Sequence, residues 1–187
     1  SGETLRVLTW NLGYAGLGAG SDFVTDGGKH YFPPSRQAVR ANLAGIARTL
    51  AGIDADVFLV QEIAVSSPAN YWVDVRAGIA PRFAGYDRIF DFDVTTRLLL
   101  PPLRVSHGNA IYANRRIASA ERVTLPLEDE FLAGIVRHFY SMEIARLAIA
   151  DTSRQWVVIN VHLAAFDKNG EVRRRQLAAV LRFADDE

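Results

Sequence analysis

The 187-residue chain contains no cysteine. Disulfides, thiolate metal sites and a cysteine nucleophile are thereby excluded, although a compartment is not assigned. It has no net charge either: 21 basic residues balance 21 acidic ones, and only two of the basic ones, Lys29 and Lys168, are lysines. A broadly basic surface for non-specific nucleic-acid binding is therefore not expected, and any attraction to phosphate has to be local. No apolar run approaches the roughly 20 residues that span a bilayer, and no signal peptide is visible. The single methionine is Met142, so residue 1 is not an initiator. Ser1-Gly2 reads as the scar of processing or cloning, and the chain stops within a predicted helix. A piece of a longer protein is the expectation.

What is present suits one α/β domain over residues 1–187, with 49% hydrophobic residues to form its core. Leu5 to Leu12 and Val57 to Val60 read as buried strands. Between them Ser35 is a plausible N-cap. Val39, Leu43, Ile46 and Leu50 follow at helical spacing, and Gly52 ends the segment. Strand, helix and strand within about sixty residues predict a parallel βαβ unit. Trp72, Val75 and Ile79 suggest a short amphipathic helix. Strands are predicted over Tyr86 to Phe92, Asn109 to Ala113 (after a Pro101-Pro102 break) and Arg116 to Leu125. Phe139 to Ala150 and Gln155 to Leu163 form a predicted hairpin across the turn Asp151-Thr152-Ser153-Arg154. Glu171 to Ala184 is predicted helical, with Leu177, Val180, Leu181 and Ala184 on its buried face. Parallel and antiparallel pairing are both expected.

Three predicted strands finish in polar residues, where a rigid strand can aim a side chain into a cleft. Asn11 closes the first, Glu62 the second, and His162 lies at the end of the Trp156–Val161 run. Each alone has a plain explanation: a strand-end glutamate is usually solvated, an imidazole often caps a backbone group, and asparagine ends many strands. Together they are the three groups that phosphate-ester hydrolysis uses. A carboxylate holds a hard dication, an amide orients a phosphoryl oxygen, and an imidazole donates or takes a proton.

These residues lie in stretches that resemble the endonuclease/exonuclease/phosphatase, or deoxyribonuclease I-like, superfamily. Thr9-Trp10-Asn11 resembles its T-W-N opening and Gln61-Glu62 its Q-E motif. Gly108-Asn109-Ala110-Ile111 resembles G-x-A-I, Asn160-Val161-His162-Leu163 resembles N-x-H-L, and Arg173 to Gln176 repeats R-x-x-Q. The resemblance implies a four-layer αββα sandwich of two mixed sheets and metal-dependent hydrolysis of a phosphate ester. It implies Mg²⁺ or Mn²⁺ as cofactor, with Glu62 as metal ligand and Asn11 beside both metal and phosphate. His162 becomes a catalytic donor to the phosphate. Asn109, Asn160 and an arginine of the preceding strand, Arg146 or Arg137 with Arg146 favoured, become substrate contacts. The implied partner is a phosphate ester: nucleic acid, a phosphoinositide or another phosphodiester. No membrane span and a monomer are expected.

The departures matter as much. The family pattern continues into a G-D-x-N strand and an S-D-H motif, and neither occurs in this sequence. The resemblance thus implies a domain truncated at its C-terminus and inactive alone, since losing one positioned acid–base group costs about 10²–10⁴ in rate. A non-catalytic phosphate-ligand or protein-binding module is the alternative. Several tempting signals receive plain readings. The glycines of residues 13–20 lack dinucleotide-binding spacing and no helix follows them. Arg173-Arg174-Arg175 point about 100° apart on a helix and form no stripe. His30, His107 and His138 show no ligand spacing. The long loop from Gly13 to Pro34 borders the active site in the resemblance, so Asp26-Gly27-Gly28-Lys29-His30 either touches substrate or forms a solvated turn.

Overall fold

A computed structural model describes residues 4–23, 27–96, 105–127, 136–138, 140–150, 152–164, 167 and 169–187. The Pro101-Pro102 break, Asp26, Asp151, Lys168 and the side chains of Arg137 and His138 lie outside this description.

β1 (Val7–Asn11) leads through a loop into α1 (Arg36–Gly52), and β2 (Val57–Ala64) returns parallel to β1, completing the predicted unit. Ser35 caps α1 by accepting from the Ala38 amide at 3.1 Å. Val39, Ile46 and Leu50 are buried beneath it. A five-residue helix α2 (Val75–Ile79) follows, and Trp72 lies before it rather than on its buried face. The strands β3 (Asp87–Thr96), β4 (Ser106–Ala113), β5 (Ile117–Thr124), β6 (Val136–His138), β7 (Ser141–Ala148) and β8 (Gln155–Val161) come next, and α3 (Glu171–Asp186) ends the chain.

The strands form two sheets, one in the order β1-β2-β4-β3-β6 and one in the order β5-β7-β8. The first is mixed; the second is antiparallel at both of its pairings, a difference from the expectation of two mixed sheets. Strand alternation sorts the side chains into layers. Phe58 and Val60 of β2 face α1 and α2, whereas Val57 and Leu59 face the second sheet. On β7, Ala145 and Leu147 face the first sheet, while Met142 and Ile144 pack under α3. The result is a helix–sheet–sheet–helix sandwich.

α3 buries a different face from the one predicted. Val172, Gln176, Ala179, Val180 and Phe183 turn inward, while Leu177 and Leu181 are about half exposed. Gln176 explains the misreading. It is a polar residue in the buried stripe, satisfied by accepting from the Ala164 amide and donating to the Pro126 carbonyl, each at 2.8 Å. Arg173, Arg174 and Arg175 are exposed, as expected of a solvated face.

Candidate active site

The site is made by two irregularities facing each other across β4. In β2, Val60 pairs with Ala110 but Ile63 pairs with Gly108, so Gln61 and Glu62 together oppose Asn109. In β3, Phe92 pairs with Gly108 and Val94 with His107, so Asp93 is the extra residue. Such bulges bend a strand and re-aim a side chain. At Glu62 the backbone is left-handed, with φ +54°, which an ordinary residue holds only when its surroundings impose it. The Asn109 side-chain oxygen accepts from the Glu62 amide at 3.4 Å and braces the bulge. Gly108 lies between both irregularities. A Cβ there would lie 1.9 Å from the Asp91 carbonyl oxygen, so glycine is required by close approach.

The two re-aimed carboxylates meet His162. Its Nδ1 lies 3.1 Å from Asp93 Oδ2 and its Nε2 lies 3.4 Å from Glu62 Oε1, the latter a loose ion pair. Asp93 also approaches His107 Nδ1, at 3.0 Å, close enough for an ion pair though poorly aligned as a hydrogen bond. Burial by itself would raise the Asp93 pKa, yet the two imidazoles outweigh it and hold the carboxyl at about 2. Burial would lower His162, but Asp93 and Glu62 outweigh it and raise its pKa above the ordinary histidine value. The imidazole is therefore biased toward its cationic, donating form. Tyr140 borders the group, and burial followed by the charges of Asp93 and Glu62 raises its phenol.

Beneath this cluster the inter-sheet layer is polar. Asn160 is 1% exposed; its amide donates to the Val60 and Ala110 carbonyls and its oxygen accepts from Gln61 Nε2 at 2.6 Å. Asn109 is fully buried beside it. Both residues, expected to touch substrate, are buried here, where Asn160 holds the sheets together and Asn109 braces the bulge. Arg146 is placed elsewhere. Three residues from Glu143 on one strand, it points to the opposite face, toward α3, and pairs with Glu121 and Glu187. Arg146, expected as a phosphate contact, is thus not among the residues that the structure brings together around His162. Asn11 ends β1 beside Gln61, and its side-chain oxygen accepts from the Gly13 amide at 2.8 Å, which leaves its NH₂ as the group to offer outward.

The structure thus brings Glu62 and His162 together and adds Asp93 and His107, which the sequence reading did not single out. A signal existed: Asp91 and Asp93 alternate within an apolar strand, an unusual place for two carboxylates. Among the described residues, no three histidine, aspartate or glutamate side chains stand as a ready metal chelate. Glu62 Oε2, however, is buried without a hydrogen-bond partner among those residues. A carboxylate oxygen in that condition is suited to a hard cation.

The fold is that of solved endonuclease/exonuclease/phosphatase structures. An endonuclease/exonuclease/phosphatase from Beutenbergia cavernae superposes on 95% of the chain with TM-score 0.66 and 22% identity. ANGEL2, a 2′,3′-cyclic phosphatase, covers 93% with TM-score 0.60 and 18% identity, and the human Nocturnin catalytic domain covers 97% with TM-score 0.53 and 16% identity. The chain spans only 43%, 45% and 58% of those three structures. No protein-family model matches the sequence, and no curated protein sequence matches it.

Proposed function

We propose that the intact protein hydrolyses phosphate esters with the aid of Mg²⁺ or Mn²⁺, and that this chain alone turns over little substrate. The observation that carries the reading is His162 held between Asp93 and Glu62 at the polar end of the inter-sheet layer. A cationic imidazole there donates to a phosphoryl oxygen as charge develops on it, and Asp93 keeps the ring oriented. Asn11 adds an NH₂ donor from the neighbouring strand end. Glu62, through its unpartnered oxygen, is the residue to hold the dication, with Asn11 beside it. When bound, the dication supplies Lewis-acid neutralisation of the phosphate. Asp93 is a poor base for activating water, because it is held near pKa 2 between two imidazoles.

The neighbours support an anion-binding role for the fold: ANGEL2 is known in complex with adenosine-2′,3′-vanadate and Nocturnin with a sulfate anion. For this protein the substrate is proposed only as a phosphodiester or phosphomonoester of nucleic acid, phosphoinositide or similar type. A second reading, a phosphate-ligand or protein-binding module without turnover, draws on the missing G-D-x-N and S-D-H motifs.

The test is turnover by the intact protein of a panel of phosphate esters with Mg²⁺ and with chelator. His162→Ala should lower kcat by about 10²–10⁴ with little change in KM. Glu62→Gln should weaken Mg²⁺ binding measured by calorimetry. Unchanged kcat and unchanged Mg²⁺ affinity would falsify the assignment, and absence of turnover in the unaltered intact protein favours the binding module.

A further inference from the structure

The loop between β1 and α1 builds a second feature, outside the carboxylate–imidazole cluster. A groove of about 610 Å³ is lined by Asp22, Lys29, His30, Tyr31, Phe32 and Tyr71, among others. It lies within the size range of small-ligand sites. Tyr31 is 76% exposed and Phe32 54%, and Trp72, the neighbour of Tyr71, is 49% exposed. Tyr31 and Phe32 are consecutive residues lining the groove, and large rings left in water there offer a surface for a ligand.

The groove is a constructed one. On one side the loop folds back so tightly that the Asp22 carbonyl accepts from both the Lys29 and His30 amides, at 3.1 and 2.8 Å. A Cβ on Gly28 would lie 2.4 Å from the Asp22 carbonyl carbon, so only glycine fits that turn. On the other side Tyr71 and Trp72 are consecutive residues at φ +52° and +57°, a strained conformation for bulky side chains. Asn70, 1% exposed, imposes it: its oxygen accepts from the Ser67 amide and hydroxyl, and its NH₂ donates to the Val65 and Val73 carbonyls. The Tyr71 hydroxyl then donates to the Pro33 carbonyl at 2.9 Å, tying one wall to the other.

We propose that this groove is a nucleotide-binding subsite, in which Tyr31 and Phe32 stack on a base while Lys29 and His30 take an adjoining phosphate. Exposed rings beside a cationic side chain are the elements that hold unpaired bases, because every base has a π-face. The donors and acceptors that line the groove suit such a ligand. The Lys29 ammonium and the His30 ring supply donors for an anion, and Asp22 remains an acceptor for an exocyclic amine. The concave shape suits a single planar ligand better than a membrane surface.

The groove is connected to the candidate active site. Phe23 forms a bridge with His30 and packs edge-on to Tyr14 at 5.9 Å, and Tyr14 lies 6.1 Å from the His107 ring. A role in carrying the remainder of a phosphate-ester substrate rests on the function proposed above; the binding itself does not.

The experiment is calorimetric titration of the 187-residue chain with adenosine 5′-monophosphate, glycerol 3-phosphate and phosphocholine. The adenosine nucleotide should bind at least tenfold more tightly than the other two. Joint Tyr31→Ala and Phe32→Ala substitution should weaken it roughly tenfold or more, with an unchanged circular dichroism spectrum. Equal affinity for the nucleotide and glycerol phosphate, preference for phosphocholine, or a nucleotide affinity untouched by the double substitution overturns the proposal. Loss of nucleotide binding alongside retained hydrolysis of a simple phosphodiester by the intact protein rejects the groove alone. Nucleotide binding without hydrolysis supports the groove and rejects the catalytic reading.

Discussion

The contact between the two sheets has two halves of unlike chemistry, although the same four strands, β2, β4, β7 and β8, supply both. In one half Val57, Ile111, Ala145, Leu147 and Val158 pack as hydrocarbon. In the other Gln61, Asn109, Ser141, Glu143 and Asn160, none more than 7% exposed, meet through hydrogen bonds. Apolar contact is non-directional and tolerates small displacements. A buried polar network does not, because each unmet donor or acceptor is costly. The polar half is also the half that ends in Glu62, Asp93 and His162. The division therefore reads as adhesion on one side and positioning on the other: Asn160 ties β8 to the Val60 and Ala110 carbonyls, the paired residues just before the β2 bulge, and Asn109 braces the bulge itself.

The largest effect expected from this contrast is at Asn160. Asn160→Ala removes the side-chain donor from two buried carbonyls, while the Gln61 amide keeps Thr9 Oγ1 and the Leu59 carbonyl as acceptors. It should destabilise by about 2–6 kcal/mol, at roughly 1–3 kcal/mol for each unsatisfied group. Val158→Ala, in the hydrocarbon half of the same strand, removes about two methylene equivalents and should cost about 2 kcal/mol. Urea unfolding of both variants gives the comparison directly. A costlier Val158→Ala would mean that the polar half contributes little to cohesion.

Glu143 sharpens the contrast through pH. Burial pushes its carboxyl up from 4.5 to about 8, with Asn109 and Ser141 opposing and Asp91 and Asp93 reinforcing. The Ser141 hydroxyl lies 3.2 Å from both Glu143 Oε1 and Asp91 Oδ2, and its one proton cannot serve both. A neutral Glu143 that donates to Ser141, which donates to Asp91, resolves the conflict. The folded state then binds a proton that the unfolded state releases. Stability is complete below about pH 4.5 and declines as pH rises toward 8, at up to about 1.4 kcal/mol per unit. Asp93, lowered to about 2, acts only below its ordinary value. His162, raised, has the same sign as Glu143 but contributes its loss above about pH 6.5. The interval from pH 4.5 to 6.5 thus isolates Glu143, and Glu143→Gln should flatten the unfolding free energy there. A slope that persists in the variant would show that Glu143 is ionised in the folded protein.

Much of the scaffold was legible in the sequence because its determinants are local. Ser35 caps the helix that it precedes, the β1–α1–β2 unit follows from periodicity and spacing, and the β7–β8 hairpin follows from two apolar runs across a polar turn. The site was half legible. His162 follows the end of β8 as expected, whereas Glu62, read as closing its strand, lies at a bulge with two paired residues beyond it, and their meeting follows from the sheets that carry them. Asp93 and His107 were missed because their roles arise from pairing: the extra residue in β3 exists only relative to β4, and no glycine or proline marks it. The same holds for the left-handed turn at Glu62. On α3 the buried polar residue Gln176 concealed the true inner face, since its partners, Ala164 and Pro126, come from other segments. Tyr71 and Trp72 look like ordinary aromatic residues until the Asn70 network that bends them is seen.

The smallest expected effect lies on the outer face of the second sheet, away from both halves of the contact. Arg146 pairs there with Glu121 at 2.7 Å and with Glu187, in positions open to solvent. Partly exposed pairs of this kind contribute about 0–1 kcal/mol. Arg146→Ala should therefore shift the urea midpoint only slightly, and it should leave the NMR titration of His162 in place, because parity puts the guanidinium on the other side of the sheet. Phosphate binding by the chain should also be unchanged. A tenfold loss of phosphate affinity in Arg146→Ala would place this arginine at the site after all, and the assignment of faces on β7, on which the two-halves comparison depends, would have to be reversed.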